Sequence, residues 1–305
     1  MIDRYQLADG ASCSIAVGWG CNVISWSVKG EELMFCPPEL PQQATKASGG
    51  GSPLLFPAIG RTWDLNVEPA VFGEYKIYGS DKTYYMPSHG ILFLSAFSRI
   101  ALEEQPDRIS ATYQLEVPDE VREQNYPFDV AYTQRFTLTA DGIEFETTIT
   151  NRGEKAAPVA FGHHPYFRIS NPRRDGVEVH LPVTEWLKTN PATVLFNGES
   201  ESAGQVLKLK PEVYYDHVFA GTVGNRMSLI DQIAGRRVHV DFDDNFEHLT
   251  VFSPDGSDFV CIEPWTRGLG AFCYLDEPGW ENSDSVPVLR GGQTKTLKVR
   301  FGVEQ

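Results

Sequence analysis

Residues 161 to 168 read Phe-Gly-His-His-Pro-Tyr-Phe-Arg, two adjacent histidines ahead of a proline with aromatic residues on both sides. Histidine is the side chain whose ordinary pKa lets it give or take a proton near neutrality. Proline pushes the residue before it, His164, into extended geometry. Side chains alternate faces along an extended chain, so His163 and His164 are expected to point in opposite directions, with at most one of them in any cleft. Further along, residues 259 to 265 read Phe-Val-Cys-Ile-Glu-Pro-Trp. Alternation places Phe259, Cys261 and Glu263 on one face and Val260 and Ile262 on the other. A carboxylate in such an apolar strand is expensive to bury without partners, and partial burial raises its pKa toward that of a competent base. Glu263 also precedes a proline, so both residues are expected at strand ends, rigidly aimed. The plainer alternative for the first stretch is a pair of structural histidines in an aromatic core.

Three further stretches carry residue types suited to a site. Pro53-Leu-Leu-Phe-Pro-Ala-Ile-Gly-Arg61 is an apolar run ending in one arginine beside Trp63; Arg61 is equally readable as a solvated or ion-paired surface residue. In Pro87-Ser-His-Gly90, glycine after His89 permits a tight turn or a close backbone approach, while an incidental loop histidine fits as well. Tyr214-Tyr-Asp-His-Val-Phe219 sets Asp216 among aromatics. That suits recognition of hydroxyl groups by hydrogen bonds and ring stacking, or a capped turn.

The elements that must position these residues read as strands. Tyr132, Phe136 and Leu138 alternate with Thr133, Arg135 and Thr137; after Asp141-Gly142, Ile143, Phe145 and Ile149 alternate with Glu144, Glu146 and Thr148. Two alternating runs around Asp-Gly predict a hairpin. Val238, Val240 and Phe242, and then Leu297, Val299, Phe301 and Val303, repeat the pattern. No segment keeps a 3.6-residue apolar stripe over three turns. With 27 glycines, 20 prolines and 12% aromatics, the chain is expected to be all-β: a large antiparallel sandwich of many short strands, forming a single domain over residues 1–305. The segment Gln42 to Ser52, ending Ser-Gly-Gly-Gly-Ser, is expected to be a flexible surface loop within it.

The 305 residues carry 26 basic and 41 acidic side chains, a net charge of -15, which disfavours nucleic acid and anionic membranes as partners. The opening Met-Ile-Asp-Arg-Tyr-Gln has neither a basic nor an apolar leader region, so no signal peptide is expected, and no apolar run approaches a membrane span. Cys13, Cys21, Cys36, Cys261 and Cys273 are odd in number and scattered. Neither a disulfide framework nor a zinc motif is indicated, and a cytoplasmic location is expected. No phosphate-binding glycine loop is present, and neither a cofactor nor a metal is expected.

Taken in order, Leu-Phe-Pro-x-x-Gly-Arg61, His89-Gly90, His164-Pro-Tyr-Phe, Tyr-Asp216-His-Val-Phe and Cys-Ile-Glu263-Pro-Trp265 resemble the aldose 1-epimerase (galactose mutarotase-like) family. The resemblance implies a β-supersandwich and interconversion of the α and β anomers of a hexose by acid–base catalysed ring opening and closing. It makes Glu263 the base, His164 the acid and His89 the second catalytic histidine. Arg61 and Asp216 become sugar-binding residues, with Trp265 and Trp63 as a platform for a sugar face. Cationic Arg61 and His89 are expected to stabilise negative charge on oxygen. The partner is a small-molecule sugar, and the protein a monomer or homodimer. Arg267, near the base, lies outside the motif and would favour an acidic sugar or pair with a surface carboxylate. Two rival readings share the scaffold: a hexose-6-phosphate mutarotase, which needs clustered cations, and a non-catalytic sugar-binding protein. A glycoside hydrolase would want two carboxylates flanking a bond, and one persuasive carboxylate is present.

Overall fold

A computed structural model of the protein describes residues 1–42 and 46–304. It is built almost wholly of antiparallel strands. The expected hairpin forms around Asp141-Gly142: Val130–Thr139 pairs with Gly142–Asn151, with Phe136 opposite Phe145. This hairpin belongs to a nine-stranded sheet. Outward on one side lie Arg108–Glu116 and Ala96–Gln105; on the other lie Thr294–Glu304, Arg236–Phe242, Arg226–Asp231, Val177–His180 and Val206–Lys208. Helix is confined to one short α-helix, Asp119–Gln124, and a few 3-10 turns. No helix among the described residues is long and apolar enough to cross a membrane.

An eight-stranded sheet packs against the first. Its order is Phe196–Ser202, Glu185–Thr189, Tyr215–Ala220, His248–Ser253, Phe259–Trp265, Gly162–His163 and Leu54–Leu55, with Tyr166–Arg168 also pairing onto Phe259–Trp265. The two sheets meet through rings: Phe145 lies 4.8 Å from His163, and Phe301 lies 5.3 Å from Phe167, centroid to centroid. Val260 and Ile262 turn into this core, as their parity requires, and both are fully buried. Each large apolar side chain removed from water in this way stabilises the fold by about 1.5–3 kcal/mol.

Two expectations about local structure are corrected. Residues 43–45 of the glycine-rich segment lie outside the described residues, but Gly50, Gly51 and Ser52 are buried rather than on the surface. A side chain at Gly50 would strike the Cys36 backbone at 2.9 Å, and one at Gly51 would strike the Asn22 amide at 2.4 Å. These glycines are there because two chain segments cross with no room for a Cβ. Second, Glu263 does not end its strand: Phe259–Trp265 runs past Pro264. Leu249 stays in register opposite Pro264, and no described residue pairs with Pro264 on its other side, where the missing N–H leaves no ladder bond unmade.

Candidate functional site

Strand register assembles the site. Val218 pairs with Thr250 and Thr250 with Glu263. One step along, Asp216 pairs with Phe252, Phe252 with Cys261, and Cys261 with Tyr166. These two rows cross the face of the eight-stranded sheet that points away from the core. Asp216, Val218, Thr250, Phe252, Glu263 and Tyr166 floor a cavity of about 250 Å³, walled by Arg61, His89, His164, Val194, Tyr214 and Trp265. That is below the roughly 300–1,000 Å³ typical of drug-sized sites and suits one small polar ligand. A larger hollow of about 560 Å³ lies over the outer face of the nine-stranded sheet. Several of its charged side chains are paired, Lys298 with Glu146 and Arg300 with Asp141. Glu263, His164, His89 and Asp216 are together in the smaller cavity.

His163 and His164 do point opposite ways. His163 packs among Phe145, Phe161, Phe246 and Phe301, where burial holds its pKa down to about 3. It is a core residue. His164 stands in the cleft, stacked parallel on Tyr166 at 4.7 Å and edge-on to His89 at 5.4 Å. Its main-chain N–H donates to the Pro53 carbonyl at 3.0 Å, tying it to the apolar run that leads to Arg61.

Glu263 is fully buried. Its Oε2 accepts a hydrogen bond from the Trp265 indole N–H at 3.1 Å, which leaves Oε1 facing His164 Nδ1 at 3.3 Å. That approach is close but misaligned, and neither atom has a hydrogen-bond partner. Burial, and then the charge of Asp216, push the Glu263 carboxyl well above its ordinary range. Burial likewise holds His164 well below its own. An ion pair would move the two in opposite senses; here desolvation dominates both. Burial thus disfavours the charged form of both groups where they face each other.

His89 reaches the cleft on a strained turn. Its own φ is +65° and that of Gly90 is +88°. A Cβ on Gly90 would lie 2.0 Å from the Phe56 carbonyl oxygen, so glycine is required. The Gly60 N–H donates to His89 Nδ1 at 3.3 Å, which puts the proton on Nε2. Burial and the neighbouring Arg61 hold the His89 pKa down to about 4. The expectation of a cationic His89 is thus corrected: near pH 7 it is a neutral donor.

Arg61 lies exposed at the cleft rim, and among the described residues lining the cavity it is the one cationic side chain. Asp216 lines the floor, its carboxyl raised by burial and opposed by Arg61. His217, its neighbour in the same motif, turns away to stack on Trp186 at 4.5 Å. Arg267 is outside the cavity and pairs with Glu247 on the surface. Of the two tryptophans expected as a platform, Trp265 lines the cavity, and Trp63 is not among the described lining residues. Trp265 is buried and grips Glu263. Trp63 donates to the Thr193 carbonyl at 3.0 Å, propping the loop that brings Val194 to the cavity.

Sequence reasoning missed several lining residues. Tyr166 and Tyr214 sit inside quoted motifs, and Tyr166 shares the parity of His164, which was the available signal. Thr250, Phe252 and Val194 carried none. One further group was hidden by distance along the chain: donor atoms of His164, Cys261 and Glu263 all lie within 4.8 Å of one another, the arrangement a metal ion would need.

Comparison with known proteins bears on the family and the fold. The family model described as aldose 1-epimerase matches residues 3–302. Among solved structures, a Synechocystis sp. PCC 6803 protein superposes with a TM-score of 0.80 at 22% identity, covering 99% of this chain and 96% of its own. A galactose mutarotase-like protein from Lactobacillus casei gives 0.78 at 20% identity, with 100% of both chains covered. A galactose mutarotase related enzyme from Lactobacillus acidophilus gives 0.77 at 20%, covering 99% and 98%. No curated protein matches the sequence. A family match over almost the full length, on a fold shared with these structures, means that the chain belongs to the aldose 1-epimerase family.

Proposed function

We propose that the protein is an aldose 1-epimerase that interconverts the α and β anomers of a neutral hexose by acid–base catalysis. It would do so as a single domain, in the cytoplasm. One continuous apolar core from Tyr5 to Phe301 supports the first point, and five free cysteines support the second. Glu263 is the base, His164 the acid and His89 the second catalytic histidine; Arg61 and Asp216 hold the sugar.

The observation that carries this reading is the 3.3 Å approach of His164 Nδ1 to Glu263 Oε1 at the cavity floor. Together the two groups hold one proton. On the carboxyl it gives the resting neutral pair; on the imidazole it gives a carboxylate base and an imidazolium acid. The titration belongs to the pair rather than to either residue, so the reactive form arises without exchange with solvent. A sugar whose C1 hydroxyl meets Glu263 and whose ring oxygen meets His164 loses one proton and gains the other. The C1–O5 bond opens, the C1–C2 bond turns, and closure by the reverse transfers gives the other anomer. The same tautomer serves both directions, as a freely reversible isomerisation requires. His89, neutral with its Nε2–H free, donates to developing negative charge on oxygen. Trp265 keeps Glu263 aimed. Each positioned proton-transfer group typically contributes about 10²- to 10⁴-fold.

The test is polarimetric. Freshly dissolved α-D-galactose and α-D-glucose should relax to equilibrium faster with enzyme than without, in proportion to enzyme concentration. A relaxation rate equal to the spontaneous one, with sugar binding retained, would make the protein a sugar binder on the same scaffold.

A further inference from the structure

Cys261 has no part in the proton transfers above, yet it shares the site. It is fully buried, its parity matches that of Glu263, and its Sγ lies within 4.8 Å of donor atoms of both His164 and Glu263. Beside it stand the orphaned atoms of the cleft: His164 Nδ1 and Glu263 Oε1 are buried, 3.3 Å apart, and lack hydrogen-bond partners. Two lone-pair acceptors and a sulfur converging on one point make a place where a cation is stabilised.

We propose that His164, Cys261 and Glu263 form an inhibitory site for a thiophilic divalent cation, with Zn²⁺ as the best-matched ion. Imidazole, thiolate and carboxylate are the protein ligands zinc prefers, and three of them leave a fourth tetrahedral position open. With zinc–nitrogen and zinc–oxygen distances near 2.0–2.1 Å and zinc–sulfur near 2.3 Å, tetrahedral donors stand roughly 3.3–3.6 Å apart. His164 and Glu263 already do, at 3.3 Å; Cys261, within 4.8 Å of both, has to close by up to roughly 1.2–1.5 Å. Trp265 occupies only Oε2, so the carboxylate can bind through Oε1 without losing its anchor.

The exchange balances without redox chemistry. The Cys261 thiol releases its proton, the His164–Glu263 pair releases the one it holds, and bonds from zinc to sulfur, nitrogen and oxygen replace them. About two protons leave per ion, so binding tightens as pH rises. The bound ion takes both proton-transfer groups out of action. Activity would therefore be independent of added metal but suppressed by zinc.

The site does not rest on the epimerase reading, since its spectroscopic test needs no sugar. Co²⁺ is titrated into protein carrying Cys36→Ser, which removes the one half-exposed thiol, with and without Cys261→Ser. A thiolate-to-cobalt charge-transfer band should appear with Cys261 present and be absent without it. In the polarimetric assay, micromolar Zn²⁺ should inhibit and EDTA should restore the full rate. Cys261→Ser, with basal activity unchanged, should raise the inhibitory zinc concentration at least a hundredfold. Cys261→Ala repeats the comparison should serine disturb folding. Absence of the band in protein with Cys261, or equal zinc sensitivity with and without Cys261, would overturn the proposal.

Discussion

The indole N–H of Trp265 donates to Glu263 Oε2 at 3.1 Å, from two residues along the same strand. The pairing follows from parity: residues i and i+2 share a face, so the strand that presents the carboxyl also carries its holder. Gly162 makes room for that indole, since a Cβ there would lie 2.6 Å from the Trp265 ring. Trp265→Phe keeps the ring and removes the donor. With a hydrogen bond to a charged group worth about 1.5–3 kcal/mol, kcat should fall roughly tenfold or more, with little change in melting temperature. An unchanged kcat would show that the indole merely packs.

Glu263→Gln keeps the shape but takes no proton. Anomer interconversion should fall by at least about a hundredfold, the lower range for a lost general base. The circular dichroism spectrum and melting temperature should remain close to wild type, because the amide keeps the shape of a carboxyl whose charged form burial already disfavours. Near wild-type polarimetric rates would remove Glu263 from the mechanism.

The adjacent histidines should separate cleanly. His164→Asn should cost at least about a hundredfold in kcat. His163→Asn should leave kcat within a few-fold and cost about 2–4 kcal/mol of stability, because it opens a cavity among four phenylalanines and buries an amide there. A dead His163 variant beside an active His164 variant would reverse the assignment.

Acid should destabilise the fold through His163. Its folded pKa, about 3, lies below its unfolded value near 6.5. Between these values the unfolded chain binds the proton and the folded one does not, so stability rises with pH and is lost as pH falls from about 6.5 toward 3. The full slope for one such group is about 1.4 kcal/mol per pH unit. Denaturant unfolding at pH 6.5, 5.5 and 4.5 should therefore show a steeper loss in wild type than in His163→Asn. Parallel lines would contradict the burial of a neutral imidazole.

A neutral hexose should be turned over with higher kcat/KM than its 6-phosphate. Phosphate recognition wants converging cations, and the described cavity lining offers Arg61 alone. Arg99 pairs with Asp3 and Arg267 with Glu247, both away from the cavity. Both substrates measured in one buffer decide the matter: a tenfold preference for the phosphate would promote the rival reading.

Much of this was legible because period-two alternation is a local rule. It gave the hairpin at Asp141-Gly142, the divergence of His163 from His164, and the shared face of Cys261 and Glu263. What escaped was whatever depends on neighbours distant in the chain. The glycines at 50 and 51 looked like a linker because the segments they pack against, near Cys36 and Asn22, cannot be known from composition. The grip of Trp265 on Glu263, and its packing against Gly162, are tertiary facts. His89 looked cationic because its desolvation, and the Gly60 N–H that fixes its tautomer, come from a loop crossing. Arg267 looked close to the base in sequence, but its partner Glu247 draws it to the surface.

The cavity draws its lining from Ser48 through Leu269, and its floor depends on strands from distant parts of the chain lying in register. Such long-range pairing is slow to form, because loop-closure entropy is lost before the contacts repay it. The site cannot exist on a nascent chain until the residues around Trp265 have left the ribosome, and no N-terminal fragment ending earlier can carry it. Recovery of polarimetric activity on refolding therefore reports completion of the whole sheet, while fluorescence or circular dichroism can recover on partial assembly. A lag of activity behind both is the expected kinetic signature.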